Sequence, residues 1–178
     1  RPFMGFRNIG NTCYMNAALQ ILLRIPGFVQ RLEIDPPSMK SNNNNSSEPI
    51  RSCVLNIVNI EKRWMKIRRA MSKSTTDLTS LLELERQVAR HLSSLKRLIA
   101  ESASEAIRFS GFRQQDSHEW IGNFLEALDV EMEKRYSSSI VSDDKLFAKL
   151  PTRFCFHTEL VYTLSCKCSR SRARHISR

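Results

Sequence analysis

The stretch Gly5-Phe6-Arg7-Asn8-Ile9-Gly10-Asn11-Thr12-Cys13-Tyr14-Met15-Asn16 decides how the rest of the chain is read. Gly5 and Gly10 permit tight backbone turns, and Asn11 or Thr12 suits the cap of a helix that follows. Met15, Ala18, Leu19, Leu22 and Leu23 then recur at steps of three and four, which marks one apolar helix face. Cys13 falls in the first turn of that helix. Unpaired N–H groups and the helix dipole there favour negative charge, and so the thiolate, the reactive form of cysteine. The same N–H groups suit the oxyanion of an acyl-transfer step, and Asn8 could add a side-chain N–H₂ donor. The alternative is that Cys13 is a small buried residue beside a helix cap. The residues alone leave these two readings open.

Further along, Ile25-Pro26-Gly27 ends the first helix. Ile57, Ile60, Trp64, Ile67 and Met71 predict a second helix, and Leu81, Leu84, Val88, Leu92, Leu95 and Ile99 a third. Ile121, Phe124, Leu125 and Leu128 predict a fourth, and all these stripes read as contacts between packed helices. The period changes to two near the end, where Phe156, Thr158, Leu160, Tyr162 and Leu164 alternate with His157, Glu159, Val161 and Thr163. That is a strand pattern, and a lone strand needs partners. Residues 36–49, with four consecutive asparagines between proline-bearing flanks, read as a low-complexity surface loop, and a second break runs from Ser137 to Asp144.

Phe112-Arg113-Gln114-Gln115-Asp116-Ser117-His118-Glu119-Trp120 opens the fourth helix. Asp116 and Glu119 have the spacing of an acidic capping box, which accounts for both acids but not for Gln114, Gln115 or His118.

Two resemblances converge. Gly5 to Leu22 resembles the cysteine box of the ubiquitin-specific protease family, Gly-Leu-x-Asn-x-Gly-Asn-Thr-Cys-Tyr-Met-Asn-Ser-x-Leu-Gln, with Phe6 for Leu and Ala17 for Ser. The run at Gln114 resembles the family's Gln-Gln-Asp-Ala-His-Glu-Phe motif, with Ser117 for Ala and Trp120 for Phe. Both stand in the family's order, roughly a hundred residues apart. The resemblance implies an α+β, papain-like cysteine protease fold, of which residues 1–136 would be the mostly helical thumb and 145–168 the start of the fingers and sheet, with 169–178 a basic tail. It implies Cys13 as nucleophile and Asn8 in the oxyanion hole. Gln115, Asp116 and Glu119 would contact the C-terminal tail of ubiquitin, the two acids facing its arginines, and His118 would be structural. The reaction would be hydrolysis of the bond after the C-terminal glycine of ubiquitin through a Cys13 thioester.

The catalytic histidine of the family lies in a Gly-His-Tyr type motif, which none of His91, His118, His157 or His175 matches. The alternative to a protease is therefore a catalytically incomplete ubiquitin-binding or regulatory fragment. Cys166-Lys167-Cys168 stands where many family members begin a zinc ribbon, but its spacing is Cys-x-Cys and a tetrahedral site needs four ligands, so no metal is expected. No other cofactor is implied.

Composition bounds the rest. The chain has 178 residues and begins Arg1-Pro2, so a piece of a longer protein is expected. The five scattered cysteines do not suggest a disulfide framework, and together with the absence of a signal-like or membrane-length apolar run they point to the cytoplasm, the nucleus or both. Half of the net charge of +10 sits on Lys167, Arg170, Arg172, Arg174 and Arg178. No aromatic-basic interleaving accompanies it, so ubiquitin or ubiquitinated proteins are the expected partners, and nucleic acid and membrane are not.

Overall fold

The computed structural model describes residues 3–34, 48–70, 75–102, 115–136, 150–156, 160–165 and 172–177, and these are mostly helical. Among the described residues six helices run in chain order: α1 (Cys13–Leu22), α2 (Phe28–Glu33), α3 (Pro49–Ala70), α4 (Thr75–Ser102), α5 (Ser117–Tyr136) and α6 (Pro151–Phe156). Strand β1 (Leu160–Ser165) pairs antiparallel with β2 (Arg172–Ser177), Leu160 opposite Ser177 and Ser165 opposite Arg172.

The core follows the apolar periods. Leu81, Leu84, Val88, Leu92, Leu95 and Ile99 are all buried on α4, and they meet the Ile50, Val54, Ile57, Ile60 and Trp64 stripe of α3 in the longest helix–helix contact among the described elements. Each such side chain contributes roughly 1.5–3 kcal/mol on burial. On α5 the fully buried row is Trp120, Phe124, Leu128 and Met132, one residue every turn, while Ile121 and Leu125 are only partly buried at its edge. Trp120 stacks on Phe124 at 5.1 Å between ring centroids. α1 packs against α5, so the two helices whose starts carry the candidate site belong to one packed unit.

Several boundaries differ from the sequence reading. After the first helix the chain turns at Gly27, whose φ of 88° suits glycine, and re-enters a short helix, α2, that no apolar period announced. Glu48 and Pro49 belong to the packed structure: Pro49 opens α3, where its missing N–H costs nothing, and Glu48 is buried. Phe156 belongs to α6 rather than to the strand, and its ring meets Phe28 of α2 edge-on at 6.2 Å. The partner of β1 comes from the arginine-rich end of the chain. Most of the asparagine-rich loop, Met71, the break from Ser137 to Asp144, His157, Cys166 and Cys168 lie outside the described residues.

Two buried charges join the helices. The Arg51 guanidinium is completely buried; it donates to the Leu32 carbonyl at the end of α2 (2.9 and 2.6 Å), to the Ile34 carbonyl (2.7 Å) and to Glu48 (2.8 Å). Glu131 of α5 accepts the N–H groups of Ile50 and Arg51, both at 2.8 Å, and so caps α3 from a distant point in the chain. Burial pushes the Glu131 carboxyl up to about 7 against the opposing pull of those two N–H groups.

Candidate active site

The segment before α1 is folded by Asn8. Its side-chain oxygen accepts the N–H of Gly10 (3.1 Å), the N–H of Thr12 (3.0 Å) and the Thr12 hydroxyl (3.1 Å). Three bonds to one oxygen close the turn Asn8–Thr12, which needs left-handed backbone at Gly10 (φ 110°) and Asn11 (φ 47°), two residue types that tolerate it. Thr12 stands at the cap position, but its buried hydroxyl accepts the Ile9 N–H at 3.2 Å and donates to Asn8, and it makes no bond to the helix. The expected side-chain cap is thus replaced by a turn-internal network. The first helical bond runs from the Asn16 N–H to the Thr12 carbonyl at 2.9 Å, so the cap side chain leaves the earlier first-turn N–H groups untouched.

Cys13 occupies the first position of α1, exposed and with a free thiol. The reading of Cys13 as a small buried residue is therefore ruled out by its exposure. The other described cysteines are poorer nucleophile candidates. Burial pushes the Cys53 thiol up, with Glu131 adding to the shift and Arg97 opposing it, and burial likewise raises Cys155 against the pull of Arg31. Tyr14, buried beside Cys13, has its phenol raised by burial and secondarily by the Cys13 charge. The Asn8 amide N–H₂ makes no hydrogen bond among the described residues, while its oxygen is fully used, so the group retains donor capacity beside an exposed thiol-bearing turn.

Asp116 caps α5 through a single oxygen, which accepts the N–H of His118 (2.6 Å) and of Glu119 (3.3 Å). Asp116 and His118 are exposed, and Gln115 and Glu119 are half-buried. The two histidines whose side chains are described do not resemble a base held beside a thiol: His91 is half-buried on α4, lowered by that burial and by Arg90, and His118 is exposed at the start of α5. Among the described residues no group of three or more His, Cys, Asp or Glu side chains is arranged to hold a metal ion, and no helix is long and apolar enough to cross a membrane. A cavity of about 490 Å³ lies between the start of α3, the end of α4 and α5, lined by Ile50, Leu98, Glu101, Asn123, Glu126 and Glu131 among others. Its lining includes none of Asn8, Cys13, Gln115, Asp116 or Glu119, so it is a separate feature.

A model of the ubiquitin carboxyl-terminal hydrolase family matches residues 4–178. The chain belongs to the ubiquitin carboxyl-terminal hydrolase family. Its members are deubiquitinating thiol proteases, which agrees with an exposed cysteine at a helix start. Similar proteins include ubiquitin carboxyl-terminal hydrolase 37 of Gallus gallus, 32% identical over 134 residues (75% of this chain, 11% of the relative). Human ubiquitin carboxyl-terminal hydrolase 29 is 30% identical over 132 residues (73% of this chain, 11% of the relative). Human ubiquitin carboxyl-terminal hydrolase 26 is 28% identical over 179 residues (92% of this chain, 17% of the relative). The chain thus spans between a tenth and a fifth of the length of these hydrolases. No solved structure matches.

Sequence reasoning passed over two groups of residues, one that shapes the site and one that joins the helices behind it. Asn16 and Gln20 lie inside the cysteine box as unassigned motif letters, yet they hold the preceding segment in place. Arg51 and Glu131 carry no motif at all. Their only sequence signal is a charged residue recurring where the helical period calls for an apolar one.

Proposed function

We propose that this chain is the cysteine-bearing part of a deubiquitinating protease, with a papain-like fold in which the helices form the thumb and the β1–β2 hairpin the start of the fingers. The single observation that carries the reading is Cys13: an exposed free thiol at the first position of a helix whose cap side chain is turned away, beneath a turn folded by Asn8. The Cys13 thiolate attacks the carbonyl carbon of the C-terminal glycine of ubiquitin. The C–N bond breaks, the amine leaves with a proton, and water hydrolyses the thioester to regenerate the thiol. Negative charge developing on the carbonyl oxygen is met by the Asn8 N–H₂ and the Cys13 backbone N–H, each such donor being worth on the order of 10²–10³ in rate. The general base is none of His91, His118, His157 and His175, since none stands in the Gly-His-Tyr pattern.

Gln115, Asp116 and Glu119 contact the ubiquitin tail. Asp116 has the geometry for two tasks, because its cap uses one oxygen and leaves the other for an arginine. The expected compartment is the cytoplasm or the nucleus, where thiols stay reduced.

Labelling with ubiquitin carrying an electrophilic C-terminus, read by intact mass with a Cys13→Ala control, tests this reading. A Cys13-dependent adduct supports it. A folded chain that binds ubiquitin but forms no adduct means that this piece is incompetent by itself: either the rest of the catalytic domain is required, or it is a catalytically incomplete ubiquitin-binding fragment.

A further inference from the structure

The residues Phe3 to Arg7 run along α1 as a strap without regular secondary structure, held by Asn16 and Gln20 one turn apart on α1 and by Arg24 just past its end. Asn16 donates its N–H₂ to the carbonyls of Phe6 (3.3 Å) and Arg7 (3.2 Å). Gln20 donates to the carbonyl of Met4 at 2.9 Å, and the Met4 side chain is buried beneath the strap. Arg24 lies 4.5 Å over the centre of the Phe3 ring and donates to the Gln20 oxygen at 3.3 Å. Its guanidinium is in turn paired with the buried Glu61 of α3. The step of four puts Asn16 and Gln20 on one face of α1, and Arg24 lies in the turn just past its C-terminal end. The strap ends at Arg7, so its path sets where Asn8 begins the turn to Cys13.

We propose that Asn16, Gln20 and Arg24 are positioning residues that act through Asn8, a row anchored by Glu61 that registers the strap on α1 and so fixes the Asn8 amide relative to Cys13. The proposal rests on the reading of Asn8 as an oxyanion donor. It assigns a role to α3, which carries none of the motif residues: the Arg24–Glu61 pair ties the strap to the longest helix–helix contact of the core.

The test uses Asn16→Asp and Gln20→Glu, near-isosteric changes that delete the donors and leave the apolar packing intact. Hydrogen exchange reads the turn that the strap leads into. The Gly10 and Thr12 amides, which Asn8 holds, should exchange about tenfold faster in either variant, as expected for loss of about one net hydrogen bond, with the α4 amides unchanged as proof of folding. Unchanged exchange at Gly10 and Thr12 in both folded variants overturns the proposal.

Turnover of ubiquitin with a fluorescent C-terminal amide gives the second arm. kcat should fall about tenfold with KM within twofold, and in an Asn8→Ala background the same changes should cost nothing further, because both act through one group. An equal loss in the two backgrounds overturns the proposal, since it would mean general destabilisation. If the parent chain does not turn over this substrate, that failure belongs to the protease reading, and the exchange arm alone decides the positioning role.

Discussion

Glu131→Gln is the substitution whose consequences follow most directly from the structure. Glu131 is 7% exposed and accepts two backbone N–H groups of α3. Burial is the largest influence on its carboxyl and raises it from 4.5 to about 7; the Ile50 and Arg51 N–H groups and the Arg51 charge oppose the shift, while Glu48 adds to it. A carboxyl raised on folding binds its proton more tightly in the folded than in the unfolded chain. Its stabilising contribution is therefore complete below about 4.5 and is lost as pH rises through about 7. With these two values, linkage gives a loss of roughly 2–3 kcal/mol between pH 5 and pH 8.

Glutamine keeps the shape and one acceptor but cannot titrate. It leaves one of the two α3 N–H groups facing an N–H₂, a pH-independent cost of about 1–3 kcal/mol. Urea unfolding followed by helical circular dichroism at pH 5 and pH 8 separates the two effects. The stability difference between parent and variant should shrink or reverse by roughly 2–3 kcal/mol on going from pH 5 to pH 8. A difference that stays the same within about 0.5 kcal/mol, an ordinary measurement error, would refute the claim that burial dominates at Glu131.

The buried Arg51 predicts a larger loss: Arg51→Leu strips the Leu32 and Ile34 carbonyls and Glu48 of their donor and should cost about 3–5 kcal/mol, read as a lower urea midpoint. Asp116 predicts a separation of roles. Asp116→Asn retains the cap oxygen and should change stability by under about 1 kcal/mol while raising KM for a ubiquitin substrate, whereas Asp116→Ala should in addition lose about 1 kcal/mol of stability. Trp120→Ala empties the N-terminal end of the α5 row beside Phe124 and should destabilise by about 3–5 kcal/mol, read as a lower melting temperature.

Much of the helical frame was legible because burial repeats with the helix. Every residue of the Leu81 to Ile99 stripe on α4 is buried, and the start of α5 has Asp116 where the acid spacing places a cap. The Asn8 to Cys13 turn was legible for a local reason too: glycine, asparagine and threonine at fixed offsets encode a turn within the reach of their own side chains. α2 was missed because six residues are too few to display a period, and Phe156 was misplaced because alternation carried on past the true start of the strand.

What the sequence by itself determined is therefore the local chemistry: a cysteine at a helix start, a turn to shape it, an acid to cap the second helix, and stripes that must be buried somewhere. Only the tertiary structure decided which partner each polar group found. Asn16 could have been a solvated helix residue, Arg51 a surface charge, Glu131 one more acid on an exposed face. Each instead meets backbone groups contributed from another part of the chain, at separations from 9 to 81 residues. The physical reason is that a buried N–H or carbonyl must be satisfied by whatever packing brings near it. Packing is set by the whole core, so no window of sequence contains the answer.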